Sequence, residues 1–176
     1  MKKVLKFSGA IAFVLGVVAF VLMIATHALV TSGNVLGVST SGWFSGVAVI
    51  FGNGAYSGSV GGFSGNGNFE GTLAWNALLA FIFAIVALVI VCAGVVLPLL
   101  KIKALDKFSG ILNLVAIGLF VVAGVFLFFT VPAFGGANDM DLDGWSLGAG
   151  WVISAILYIV AGGFAALPVV GSILGK

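Results

Sequence analysis

Four long apolar runs, separated by more polar segments, make up most of the chain. The most apolar of them extends from Trp75 to Leu100 and contains no charged residue. At about 1.5 Å rise per residue, a helix of roughly 20 residues crosses about 30 Å of hydrocarbon, so this run is long enough to span a membrane. By the same criterion we predict transmembrane helices over about residues 5–29, 75–100, 108–131 and 145–170.

The connection between the first two runs, residues 31–72, is the longest polar segment. It is dense in Gly, Ser and Asn, with an aromatic residue every several positions. Its dipeptides Asn53-Gly54 and Asn66-Gly67 are typical of type I′ turns, in which both central residues need φ > 0. They border short runs such as Gly46–Gly52 and Ala55–Phe63. We therefore predict a β-rich loop, an antiparallel meander of three or four strands; a flexible glycine-rich loop is the alternative.

The other connections are short. Residues 132–144 form an acidic loop, and Pro132 is placed to end the third helix. Small residues recur at seven-residue spacing along the helices, which permits close helix packing in lipid and favours a left-handed bundle. The predicted fold class is an all-α membrane bundle, a left-handed bundle of four transmembrane helices, with a small extracellular antiparallel β-sheet in the first external loop. Residues 1–176 form one domain in this interpretation.

Composition and charge support a membrane location. Apolar residues make up 62% and charged residues 7% of the chain, whereas soluble domains have about 25% charged residues. The basic residues are all lysines, at positions 2, 3, 6, 101, 103, 107 and 176. Lysines mark the cytoplasmic side, so we predict a multi-pass protein of the cell membrane with both termini cytoplasmic. The chain lacks the basic clusters that nucleic-acid binding requires.

Residues able to carry out catalysis are scarce. The chain has one histidine and one cysteine, His27 and Cys92, and no pair at metal-ligand or nucleophile–base spacing. Hydrolytic, redox and zinc chemistry need such constellations. We therefore expect no enzymatic activity, no organic cofactor and no small-molecule substrate.

The sharpest local motif is the acidic stretch with Asp139, Asp141 and Asp143, followed by Gly144. It matches the first half of the calcium loop D-x-[DN]-x-[DN]-G, in which alternate carboxylates converge on one cation. The second half fails, because Gly150 occupies the position of the bidentate glutamate. A complete calcium loop is excluded; a weak external Ca²⁺ site and a solvated acidic loop are the two alternatives.

The predicted arrangement resembles the claudin-type tetraspan proteins: four spans, termini inside, a long β-rich first external loop and a short second one. Gly42-Trp43-Phe44 is similar to the Gly-Leu-Trp segment of the claudin first loop, although the order differs, and the paired cysteines of that loop are absent. This resemblance covers the topology of the whole chain. It implies lateral self-association through the external sheet.

Strands rich in glycine and aromatic residues, with few charges, favour pairing with another chain. We therefore predict a structural, self-assembling membrane protein whose partners are the lipid bilayer and other copies of itself, in an ordered oligomer, array or filament. Two alternatives are a subunit of an oligomeric pore, with the aspartates at its mouth, and an accessory subunit of a larger membrane complex. The candidate contact residues are Trp43, Phe44, Phe51, Tyr56 and Phe63.

Overall fold

The computed structural model describes residues 2–99 and 103–174. Leu100, Lys101 and Lys176, which belong to the predicted spans and lysine clusters, lie outside the described residues. The elements are, in chain order, α1 (Lys2–Ala25), β1 (His27–Val35), β2 (Val38–Ser45), α2 (Gly46–Phe51), β3 (Asn53–Val60), β4 (Phe63–Glu70), α3 (Trp75–Leu99), α4 (Lys103–Phe128), α5 (Thr130–Ala137), β5 (Trp145–Leu147) and α6 (Ala149–Leu174).

The prediction of four apolar helices is confirmed. Among the described residues, four helices are long and apolar enough to cross a membrane, over Phe7–Ala25, Trp75–Val96, Ile111–Phe128 and Ala149–Leu167. They belong to α1, α3, α4 and α6. Helix α1 packs against α3 and α6, and α4 packs against the same two helices, so the four helices form a closed bundle. This arrangement fits a tetraspan membrane protein.

Small residues fill the centre of the bundle, as their seven-residue spacing predicts. Seven alanines that repeat along three helices are completely buried: Ala12, Ala19, Ala77, Ala80, Ala84, Ala87 and Ala155. The larger buried side chains of Phe120, Trp151 and Tyr158 fill the space between them. Because lipid supplies no hydrophobic force between helices, this close packing over small residues is what holds the bundle together.

The connection between α1 and α3 forms an antiparallel sheet, as predicted, and the second connection adds a strand to it. The strand order is β4-β3-β2-β1-β5. Strand β5 pairs with β1 through Leu29–Leu147 and Thr31–Trp145. Trp145, predicted to begin the fourth helix, is therefore a strand residue, and α6 begins at Ala149.

The first long helix ends earlier than predicted. Its last residue is Ala25 and β1 begins at His27, whereas the apolar pattern continues to Leu29. Ala28 and Leu29 are completely buried within the base of the sheet. Their hydrophobicity thus reflects burial in protein, which an apolar run alone cannot distinguish from the end of a transmembrane helix.

The turns and one short element of the first connection also differ from the prediction. Residues Gly46–Phe51 form α2 instead of a strand, with Ser45 capping its start and Gly52 in the left-handed conformation at its end. The dipeptides Asn53-Gly54 and Asn66-Gly67 lie within β3 and β4. The hairpin turns are at residues 36–37 and 61–62, where φ is positive.

The third long helix ends at Phe128, and a separate helix, α5, follows from Thr130. Pro132 is the third residue of α5, a position in the first turn where the missing N–H is not needed. Pro132 therefore lies in the first turn of a helix instead of ending one. The predicted loop 132–144 accordingly contains most of α5, followed by a short acidic segment.

Three close contacts fix the sheet to the bundle. The backbone N–H of Gly46 donates to Thr26 O at 3.0 Å, and that of Gly148 donates to Ala28 O at 2.8 Å. The buried indole Nε1 of Trp151 donates to Met23 O at 2.8 Å. A Cβ atom at either glycine would overlap a backbone oxygen of the segment after α1 or at its end, so only glycine permits this approach.

Candidate functional site

The register of the sheet separates its residues onto two different faces. Because paired residues point to the same side and alternate along each strand, the pairing assigns one face to the aromatic residues Phe44, Tyr56, Phe63, Phe69 and Trp145. We call this the aromatic face. The opposite face carries serines and asparagines, and the hydroxyls of Ser41 and Ser59 lie 2.8 Å apart across β2 and β3.

The part of the aromatic face nearest the bundle is packed. The ring of Phe44 lies 5.2 Å from those of Phe69 and Phe134 and 5.3 Å from that of Trp145, measured between centroids. Phe134 belongs to α5, so this cluster joins the sheet to the second connection. Phe44 is only 5% exposed. The structure therefore places most of this predicted contact residue in the core.

The part of the aromatic face farther from the bundle is open and contains a groove. Gly42 pairs with Gly58, and Gly58 pairs with Gly65, so three adjacent strands place glycine in one row. On one side of this row lies the ring of Tyr56, and on the other lies that of Phe63. We call the groove the glycine trough. It has a volume of about 400 Å³, and Trp145 and Phe44 complete its lining.

The end of the sheet farthest from the bundle is apolar and exposed. Val35, Leu36 and Val38 form the first hairpin turn and its flanks, and Val60 and Phe63 flank the second. Phe63 is 87% exposed and Leu36 is 100% exposed. Leu36 also has a φ of 53°, a left-handed conformation that costs a non-glycine residue about 1–2 kcal/mol.

The sheet carries almost no charge. From residue 28 to residue 69 the chain contains no Asp, Glu, Lys or Arg. Strand β4 lies at one edge of the sheet, and its outer side pairs with no other strand of the described chain. At the opposite edge β5 covers only three residues, so residues 32–35 of β1 pair with no strand of the described chain on that side. The sheet thus presents two open edges without charged side chains between residues 28 and 69.

The remaining predicted contact residues do not form one patch. Tyr56 and Phe63 lie on the aromatic face. Trp43 lies on the opposite face, where its ring stacks on His27 with centroids 4.1 Å apart. Phe51 belongs to α2, and its ring contacts that of Phe81, 5.2 Å away.

Sequence reasoning did not identify Leu36 or the glycine trough. The apolar turn Val35-Leu36-Gly37-Val38 was an available signal, because hairpin turns normally carry Asn, Asp or Gly at both central positions. Gly42, Gly58 and Gly65 gave no comparable signal. They become neighbours only through the pairing of β2, β3 and β4.

The acidic segment is structured locally. The Asp141 Oδ1 atom accepts a hydrogen bond from the Asp143 N–H at 3.0 Å, and Asp139 has a φ of 52°. In the described ranges no group of three or more His, Cys, Asp or Glu residues is arranged to hold a metal ion. Calcium binding by Asp139, Asp141 and Asp143 stays a prediction.

No family model matches the chain, and no curated protein is similar to it at a significant level. What the structure shares with the claudin-type arrangement is thus the coarser feature: four apolar helices and an antiparallel sheet between the first and second of them.

Proposed function

We propose that this chain is a structural membrane protein that associates with other copies of itself through its β-sheet, forming an ordered oligomer, array or filament. In this proposal the lysine-bearing end of the bundle is cytoplasmic and the sheet faces the outside of the cell membrane. The lysine distribution supports this orientation, because lysines near short loops are retained on the cytoplasmic side.

The observation that supports self-association most strongly is the open edge at β4. Proteins normally protect an edge strand with lysine, proline, a bulge or a covering element. Strand β4 is eight residues long, contains neither lysine nor proline, and has its single charged residue, Glu70, at its end. Its unpaired backbone groups can accept a further strand, and the absence of charge removes the usual repulsion between copies.

The second open edge determines which assemblies are available. Pairing of β4 with β4 of another copy is two-fold symmetric and gives a closed dimer. Pairing of β4 with the unpaired part of β1, residues 32–35, is head-to-tail and continues into a ring or a filament. The two-fold pair places the bundles at opposite ends of the joined strands. The head-to-tail pair places them at the same end, because β1 and β4 run in opposite directions.

The fixed position of the sheet favours ordered association over random association. The hydrogen bonds of Gly46, Gly148 and Trp151 hold the sheet on the bundle. A surface held in one orientation loses little conformational freedom when it binds a partner. Copies joined through their sheets should therefore have defined angles between their bundles.

A single added charge tests the proposal. Asn66 is exposed on β4 and points to the serine face, so Asn66→Lys places a charge on the edge strand without touching the aromatic face. Met140→Lys adds the same charge at an exposed position outside the strands, in the segment between α5 and β5. We expect the wild type and Met140→Lys to form oligomers in mild detergent by mass photometry, and Asn66→Lys to shift to single chains. A monomeric wild type, or equal assembly of Asn66→Lys, would contradict the proposal.

A further inference from the structure

Leu36 is an apolar residue that packs against no part of its own chain. Its side chain is fully exposed, at the tip of the first hairpin, and its backbone is left-handed. Asn or Gly would adopt this conformation with less strain. A bulky apolar residue in a strained, solvent-exposed turn is an outlier of the kind that clusters at binding surfaces.

The glycine trough provides a matching apolar recess on the same chain. Its floor is the exposed Gly58, and its walls include Tyr56 and Phe63. The ring of Trp145 covers the neighbouring Gly42. The groove of about 400 Å³ is large enough for an aliphatic side chain with its flanking turn. In the described chain the Leu36 turn and the trough lie at different positions along the strands, so the trough is available to the Leu36 of a second copy.

We propose that two copies pack aromatic face against aromatic face, with the Leu36 turn of each inserted into the glycine trough of the other. Each chain has one turn and one trough, so a two-fold axis satisfies both at once. The lack of charge makes a second copy a suitable partner: residues 28–69 carry no charged residue, so two such faces meet without repulsion and without leaving a buried charge unpaired.

The size of the face indicates a weak contact. Four strands at about 4.8 Å spacing and eight residues at about 3.3 Å rise give an upper limit of about 500 Å², because the part of the aromatic face nearest the bundle is packed. A standard interface uses about 800 Å² of accessible surface from each partner. Pairing of single molecules should therefore be weak, and many copies in two facing membranes should strengthen it through multivalency.

This inference rests on the proposed function, because it assigns a second surface through which copies meet. Face-to-face packing with the strands antiparallel places the two bundles at opposite ends of the stacked sheets. That arrangement suits proteins in two facing membranes, whereas pairing of β4 with residues 32–35 of β1 suits neighbours in one membrane, because these two strands run in opposite directions. The two contacts use different residues and can be tested separately.

Two variants remove the contact while preserving the fold. Leu36→Asn removes the inserted side chain and suits the left-handed backbone. Gly58→Val fills the trough: a Cβ there meets no side chain, its nearest neighbour being Ser41 O at 4.0 Å, and valine is favoured in strands. Ala55→Val is the matched control, since it adds a β-branched residue to the exposed opposite face of the same strand.

The experiment measures tethering between vesicles that carry the purified protein, by dynamic light scattering, together with the melting temperature of each variant. We expect wild type and Ala55→Val to tether vesicles, and Leu36→Asn and Gly58→Val each to lower tethering at least fivefold with no loss of melting temperature. The double variant should tether vesicles to the same extent as either single variant, because both changes act on one contact and their effects do not add. Unchanged tethering by Leu36→Asn and Gly58→Val would overturn the inference.

The Asn66→Lys variant separates this inference from the proposed function. If Asn66→Lys disperses oligomers in detergent while Leu36→Asn and Gly58→Val tether like wild type, edge pairing stands and the face-to-face contact is refuted. If the wild type neither oligomerises nor tethers, both are refuted. If tethering survives Asn66→Lys but not Leu36→Asn, the face-to-face contact is supported.

Discussion

Replacing Asn138 by alanine should loosen the attachment between the two connections that form the sheet end of the molecule. Asn138 follows α5, and its side chain forms hydrogen bonds with the backbone of Thr72, which lies in the segment between β4 and α3. The Thr72 N–H donates to Asn138 Oδ1 at 2.7 Å, and Asn138 Nδ2 donates to Thr72 O at 2.8 Å and to Phe134 O at 2.9 Å. Alanine removes all three hydrogen bonds.

The magnitude follows from this count. A neutral hydrogen bond contributes about 0.5–1.5 kcal/mol net. Water can replace part of the two bonds to Thr72, which are exposed, so we expect a loss near the lower end, about 2 kcal/mol for all three. For a chain of this size 1 kcal/mol corresponds to about 2–4 °C, so the melting temperature should fall by about 4–8 °C.

The assay is thermal unfolding in mild detergent, followed by tryptophan fluorescence. Asn68→Ala is the control, because it removes an exposed amide from β4. Asn138→Asp tests which of these bonds matter. It keeps the acceptor for the Thr72 N–H but loses both donated bonds, and it places a carboxylate beside the carbonyls of Thr72 and Phe134. Its melting temperature should therefore fall at least as far as that of Asn138→Ala. If Asn138→Ala melted within 1 °C of Asn68→Ala, the proposed role of this side chain would be refuted.

Three further predictions concern the junction and the topology. Gly148→Ala should lower the free energy of unfolding by about 3 kcal/mol, because the added Cβ overlaps His27 O. Gly163→Ala is the control and should be neutral or stabilising, because a Cβ there meets nothing within 4 Å. Equal melting temperatures of the two variants would contradict this prediction. Trp151→Phe removes the donor to Met23 O and should cost about 1–3 kcal/mol in the same assay; an unchanged melting temperature would count against that bond. A tag at the C-terminus should resist protease added to intact cells. Cleavage of the tag would show that the C-terminus lies outside the cell and would contradict the predicted orientation.

The long helices could be predicted from the sequence because length and hydropathy alone decide them. A run of more than 20 uncharged apolar residues, such as Trp75–Leu99, has few alternatives to a helix that crosses a membrane. Their ends could not be predicted equally well. Ala28 and Leu29 continue the apolar pattern of α1, yet they are buried in the sheet, because hydrophobicity does not reveal whether lipid or protein covers a side chain.

The sheet was predictable in kind but not in detail. Its glycine and aromatic residues indicate strands, but the turn preference of Asn-Gly was overridden at Asn53-Gly54 and Asn66-Gly67. Gly54 lies against the backbone of Ala48, and Gly67 lies beneath the ring of Tyr56, so both glycines serve close packing within strands. Such contacts depend on the register of β3, which local sequence does not specify.

The candidate site shows the same limit. Tyr56 and Phe63 were predicted as contact residues on their aromatic character, and both lie on the open face of the sheet. Phe44 has the same character but is buried, because its strand position directs it toward Phe134 of α5. Leu36 becomes distinctive only once its backbone conformation and full exposure are known.

The account depends most on the claim that the sheet is the surface through which copies of this chain meet. Electron-microscopy class averages of the wild-type protein in mild detergent test it most directly, because they show bundles and their contacts in one measurement. We predict particles in which two or more four-helix bundles are joined through their sheet layers. Averages that show only isolated single bundles, or bundles joined through their helices with the sheets apart, would contradict the claim.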